Sequence, residues 1–167
     1  GFDRAFPPKT ELDFSKSYPG KEREVRWRPF ELAGPDGYMD LASTVRPAQQ
    51  AVVYAAADLE VSKDARVVLH LGASGATRLF LDGQKVLEDP QYHPAAFDQH
   101  AVAVTLRKGT HRLLLKLAQD DGAMGFYLRL AGPRGESVPV VARLPGGAVA
   151  PPRGSLQAQV IPPLVEA

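Results

Sequence analysis

The 167-residue chain contains no cysteine. That excludes disulfides, thiolate nucleophiles and cysteine-held metals. It leaves the compartment open, because exported bacterial proteins often lack cysteine too. No apolar run approaches the roughly 20 residues that span a bilayer, so no membrane insertion is expected. No leader-like segment opens the sequence. Neither sign of charge dominates: 20 Lys and Arg stand against 19 Asp and Glu, a formal net charge of +1. Nothing in that balance asks for nucleic acid or an anionic surface. Neither a Gly-x-Gly-x-x-Gly run nor a phosphate-binding loop of the Walker type is present, so nucleotide binding has no support. The chain begins at Gly1 without methionine, and is expected to be a piece cut from a longer protein.

What remains is an ordinary globular composition, 44% hydrophobic and 23% charged. A chain of this length fits one domain with extra segments or two very small ones, and a single domain of this class buries about 70% of its unfolded surface. Residues 1–24 read as an irregular extension, with Pro7-Pro8 and Pro19-Gly20 stopping any helix. From Leu144 the chain turns to Pro, Gly and Ala, and residues 144–167 read as a linker or a strap over the domain.

Between these ends, residues 25–143 carry a period of two. Val53, Ala55, Ala57, Leu59 and Val61 alternate with Val52, Tyr54, Ala56, Asp58 and Glu60. Val67, Leu69 and Leu71 alternate with Arg66, Val68 and His70. The same holds for Val102, Val104 and Leu106, for Leu113, Leu115 and Leu117, and for Phe126, Leu128 and Leu130. Successive strand side chains point to opposite faces, so each run has one apolar and one wet face. Turn residues punctuate the runs at Ala73-Ser74-Gly75-Ala76, Asp82-Gly83, Lys108-Gly109 and Asp120-Asp121-Gly122. Asp-Gly between apolar runs is a strong hairpin signal. Regularly spaced strands without a long helix predict an all-β, antiparallel β-sandwich.

Several of these stretches resemble the galactose-binding-like β-sandwich (jelly-roll) modules. That group includes the N-terminal sugar-binding-type domain of family 2 glycoside hydrolases and accessory domains of bacterial multidomain proteins. The likeness lies in Val53-Tyr54-Ala55-Ala56 and in Leu69-His70-Leu71-Gly72 with its turn to Ala76. It extends to Leu79-Phe80-Leu81-Asp82-Gly83-Gln84-Lys85-Val86, with Asp82 where asparagine is usual. It includes Leu106 to Lys116, with His111 where asparagine is usual, and the closing strand Gly125 to Leu130. It covers about half the chain, and its motifs are tight turns and core strands. The resemblance implies a jelly roll acting as a non-catalytic accessory module, with carbohydrate the expected ligand and neighbouring domains the expected partners. It also implies export, to periplasm or exterior. A domain that spaces its neighbours is the alternative. The family's sugar-contacting positions vary between members, so the resemblance carries over no site residue.

The stretch from Asp89 to His100 has the composition of a ligand loop. Tyr92 offers a ring for stacking. His93, Asp98, Gln99 and His100 offer both donors and acceptors, as sugar hydroxyls require. The competing reading is that Tyr92 and Phe97 merely pin a long connection onto the sandwich. The histidines His70, His93, His100 and His111 include no pair at His-x-His or i, i+4 spacing, so no metal and no cofactor is expected. No catalytic residue is expected either. Ser74 has no nucleophile elbow and reads as a turn serine. Asp120 and Asp121 read as turn formers outside any calcium loop. Trp27, the single tryptophan, is expected in the core on a first strand, with Arg26 and Arg28 solvated beside it.

Overall fold

The computed structural model describes residues 2–4, 12–20, 23–29, 37–42, 50–145 and, for the backbone, 158–161. Twelve strands are present among them: β1 Ser17–Pro19, β2 Glu24–Arg26, β3 Tyr38–Asp40, β4 Ala51–Val61, β5 Ala65–Ala73, β6 Ala76–Leu81, β7 Gln84–Asp89, β8 His100–Leu106, β9 Gly109–Gln119, β10 Gly125–Ala131, β11 Val140–Arg143 and β12 Ala158–Ile161. The described residues contain no helix. Two five-stranded sheets have the orders β12-β8-β5-β10-β3 and β11-β4-β9-β6-β7, and β1 and β2 form a small separate ribbon. All strand pairs are antiparallel. The protein is therefore an all-β sandwich, as the alternating runs predict.

The period-two sets fill the space between the sheets. Val67, Leu69, Leu71, Leu79, Leu81, Val102, Val104, Leu106, Leu113, Leu115 and Leu117 belong to one buried cluster, and Leu128 and Leu130 pack on it half-buried. Each fully buried aliphatic side chain contributes about 1.5–3 kcal/mol relative to exposure. Where β4 meets β9 the sizes complement each other: Val53 faces Leu117, Ala55 faces Leu115 and Ala57 faces Leu113. Small opposite large lets the strands sit close while the leucines reach the other sheet.

The turns follow their residues. Asp82 and Gly83 join β6 to β7 with φ of 50° and 81°. Two positive φ values are what a two-residue hairpin needs to match strand twist, and Asp-Gly supplies them at low cost. Ser74 is buried, and its Oγ donates to the Gly125 carbonyl and accepts from the Gly125 amide, at 3.1 and 2.8 Å. Its work is structural. Asp121 accepts from the Gly122 amide at 2.8 Å, a turn role.

Three features depart from the sequence reading. Ser17–Pro19, expected to be irregular, is a strand paired with β2. Ala158–Ile161, inside the expected linker or strap, adds a strand to the edge of β8. Trp27 is not in the core: it follows β2 half-buried, with its ring edge-on to Phe14 at 4.9 Å. Phe14 in turn lies under the Arg112 guanidinium of β9, 4.9 Å from its ring centroid, so Trp27 belongs to an aromatic cluster outside the sandwich. Arg26 and Arg28 are exposed, as expected.

The expected wet face of β9 is also buried from Leu114 to Ala118. Lys116 is only 1% exposed, and its Nζ donates to the carbonyls of Phe2 and Arg4. Phe2 packs with Ala76 and Ala118, beneath the Arg78 guanidinium 4.1 Å from its ring centroid. Residues 2–4 thus lie across the outside of this sheet, and backbone carbonyls satisfy the lysine that they bury.

Candidate functional site

Residues 90–99 connect β7 in one sheet to β8 in the other. This connection passes around one end of the sandwich, pinned at three points. The Gly75 amide donates to the His93 carbonyl at 2.8 Å. The Ala73 amide donates to Oε1 of Gln99 at 2.9 Å. The backbone at Ala96 lies against Gly72, so close that a Cβ there would overlap the Ala96 carbonyl. Gly72 is the residue that lets the loop lie on β5.

The loop sends its side chains in three directions, so the expected ligand residues do not form one site. Asp98 goes to the outside of the β5–β10 sheet. Its two carboxylate oxygens accept from Nε and Nη2 of Arg129 at 3.0 and 2.8 Å, a bidentate pair. Nδ1 of His70 lies 3.8 Å from the same carboxylate. The hydrogen bonds from Arg129 hold the Asp98 carboxyl below its ordinary value. Burial, then the Arg129 charge, holds His70 below the usual imidazole value, so His70 is neutral at pH 7.

Beside this charged row lies an aromatic one. Phe97 sets its ring 4.5 Å from Tyr127, and Tyr127 sets its ring 4.9 Å from Tyr38. Register explains the row: Tyr127 is opposite Gly72 on one side and opposite Tyr38 on the other. Arg129 is opposite His70, two residues along the same strands. Two residues along a strand return to the same face, so both rows lie on the outer surface. Phe97 is 56% exposed, and Tyr38 and Tyr127 are half-buried.

Tyr92 stands apart from that row. It is 48% exposed. Partial burial, then the charges of Asp120 and Asp3, raises its phenol above the ordinary value. Those carboxylates belong to the side of the other sheet.

His93 and His100 converge on Asp89, and Gln99 turns to His93 and the Pro94 carbonyl. The sequence reading missed Asp89. Nε2 of His93 lies 2.5 Å from Oδ2 of Asp89, and Nε2 of His100 lies 2.8 Å from the same oxygen. Oδ1 of Asp89 accepts from the Gln91 amide at 3.0 Å. Nδ1 of His93 lies 2.9 Å from the Pro94 carbonyl, which also accepts from Nε2 of Gln99 at 2.7 Å. Burial pushes the Asp89 carboxyl up, but the hydrogen bonds from His93, the Gln91 amide and His100 outweigh it and hold the group below its ordinary value. Hydrogen bonding to Asp89, then to the Pro94 carbonyl, raises His93.

The sequence signal for this cluster was present in Asp89-x-x-x-His93. A search for histidine pairs alone passes over it. Tyr38, His70, Tyr127 and Arg129 join the loop only through strand register, which no local pattern announces.

The chain matches no family model, no curated protein and no solved structure. Among the described residues no helix is long and apolar enough to cross a membrane.

Proposed function

We propose that this sandwich is a non-catalytic accessory module that binds carbohydrate through the outer face of the β8-β5-β10-β3 sheet, within a larger bacterial protein. The observation that carries the reading is the row Phe97, Tyr127 and Tyr38 beside the Asp98–Arg129 pair and His70. Sugar rings offer apolar C–H faces and a rim of hydroxyls. Aromatic rings take the first, and a carboxylate, a guanidinium and a neutral imidazole take the second. The preformed bidentate pair fixes the polar groups before any ligand arrives, which lowers the ordering cost of binding. The likeness of the strand and turn motifs to galactose-binding-like modules supports the same reading.

The second reading is a domain that spaces and orients its neighbours. It is favoured by the stitching of residues 2–4 and of β12 onto the body of the sandwich. A titration of soluble mono- and oligosaccharides by backbone amide NMR separates the two. Carbohydrate binding moves resonances of Tyr38, His70, Phe97, Asp98, Tyr127 and Arg129, and Tyr127→Ala weakens it by about tenfold or more. Tyr92→Ala leaves it unchanged. Shifts confined to Tyr92 and its neighbours would move the site, and silence across a broad panel at millimolar sugar would favour the spacer.

A further inference from the structure

Asp89, His93 and His100 are drawn together from three elements. Asp89 ends β7, where it is opposite Thr77 in one sheet. His100 begins β8, where it is opposite Leu71 in the other sheet. His93 comes from the loop between them. Their ligand-type atoms all lie within 4.8 Å of one another, and no other such group of three occurs among the described residues.

We propose that Asp89, His93 and His100 form a divalent transition-metal site of the zinc class, which bridges the two sheets and keeps a further position open to solvent.

The first argument is proton placement on His93. Its Nδ1 faces the Pro94 carbonyl, which can only accept, so Nδ1 carries a proton. Gln99 cannot reverse this. Its Oε1 is taken by the Ala73 amide, so its Nε2 points at His93 Nδ1 at 3.3 Å, a longer approach than the 2.9 Å to Pro94. Nε2 meets Oδ2 of Asp89 at 2.5 Å, so a proton bridges the two and His93 is an imidazolium in the free cluster. A metal cation takes the place of that bridging proton, since an imidazole ligand binds metal only when deprotonated at the coordinating nitrogen. Nδ1–H bonded to a carbonyl, with Nε2 left for the metal, is the usual outer support of a histidine ligand.

The second argument is the carboxylate. One oxygen of Asp89 is fixed by the Gln91 amide, and the other meets both imidazoles. Each group that would need an orienting partner, apart from His100, has one. The third argument is shape. A tetrahedral zinc with bonds of about 2.0–2.1 Å separates its ligand atoms by roughly 3.3 Å. The observed N···O distances of 2.5 and 2.8 Å open to that value as the two imidazole nitrogens, within 4.8 Å of each other, settle around the ion.

Ligand chemistry selects the metal. Two imidazole nitrogens and one carboxylate oxygen suit Zn2+, Co2+, Ni2+ or Cu2+, whereas Ca2+ and Mg2+ prefer a full set of oxygens. Asp89 is 10% exposed at its side chain, but His93 and His100 are each 28% exposed. The buried carboxylate anchors the ion from within, and the imidazole side leaves room for water or a ligand atom.

The test uses the full 167-residue chain, freed of metal by chelator. Zn2+ is added in competition with a chromophoric chelator, and the histidine side-chain nitrogens are followed by long-range 1H–15N NMR. The expected result is one equivalent bound with a Kd below about 10 μM. Nε2 of His93 and of His100 shift, Nδ1 of His93 stays protonated, and His70 and His111 are unmoved. Ca2+ at the same concentration produces none of this. His93→Ala and His100→Ala each weaken Zn2+ binding by more than about 100-fold, beyond the 10–100-fold typical of losing an outer partner. Gln99→Ala, which touches no metal, falls within that smaller range. Both histidine variants keep the parent's dispersed NMR spectrum, because each side chain is partly exposed. Three results would each overturn the proposal: no saturable binding, equal binding in both histidine variants, or an imidazolium His93 that persists in excess Zn2+.

Discussion

Nδ1 of His111 donates to Oδ2 of Asp82 at 2.6 Å. The contact runs from β9 to the β6–β7 turn. Both side chains are about 5% exposed or less. The imidazole also donates from Nε2 to the Arg107 carbonyl at 2.8 Å, and the second oxygen of Asp82 accepts from the Arg112 amide at 2.8 Å. With an acceptor at each ring nitrogen, His111 is an imidazolium. The two residues serve each other as a buried ion pair.

Hydrogen bonding to Asp82 raises His111 above its ordinary 6.5, against the opposing effect of burial and with help from the Arg107 carbonyl. A group with a raised folded pKa contributes stability that is fully present below its unfolded pKa. That contribution is lost as pH rises through the folded value. Denaturant unfolding of the wild type from about pH 6 to 9 should show this decline. Asp82→Asn keeps a turn-compatible residue but removes the charge. It should cost about 1–3 kcal/mol near pH 6 and flatten the pH dependence. Asp82→Asn with His111→Asn should recover part of the loss, a coupling of about 0.5–3 kcal/mol. Strict additivity of the two substitutions would show that the pair does not act as a unit.

Gly72→Ala places a methyl group against the Ala96 carbonyl. The loop backbone must lift, and about 1–3 kcal/mol is lost. Amide exchange at Ala73 and Gly75 should accelerate before that of β9, because their partners Gln99 and His93 move with the loop. Unchanged protection at those two amides would mean that the loop is not seated on β5.

Gly83→Val tests the hairpin through backbone strain alone, since a Cβ there meets nothing within 4 Å. At φ +81° a β-branched residue costs about 1–2 kcal/mol, read as a lower denaturation midpoint. A midpoint equal to wild type would argue against the left-handed turn.

Leu115→Ala removes a side chain 3% exposed at the centre of the sandwich, opposite Ala55 and Leu79. The expected cost is about 2–5 kcal/mol. Leu128→Ala, on a half-buried neighbour, should cost less. The order of the two midpoints checks which positions carry the core.

The sequence alone determined the sandwich and the inward set of each long strand. Alternation is a local property: once Leu113, Leu115 and Leu117 share a face, the core follows wherever the strand is placed. It also determined the Asp82-Gly83 turn, because the positive φ values that turn demands are set by the two residues themselves. It singled out residues 89–100 by length and composition, without saying which way each side chain would go. Only the tertiary structure decided that Asp98 pairs with Arg129 outside while His93 and His100 close on Asp89. Only the fold set Tyr127 between Phe97 and Tyr38, and Lys116 beneath residues 2–4. These contacts join residues tens of positions apart. They depend on strand order and register, which are fixed by the packing of all strands together and leave no mark on the local pattern of any one.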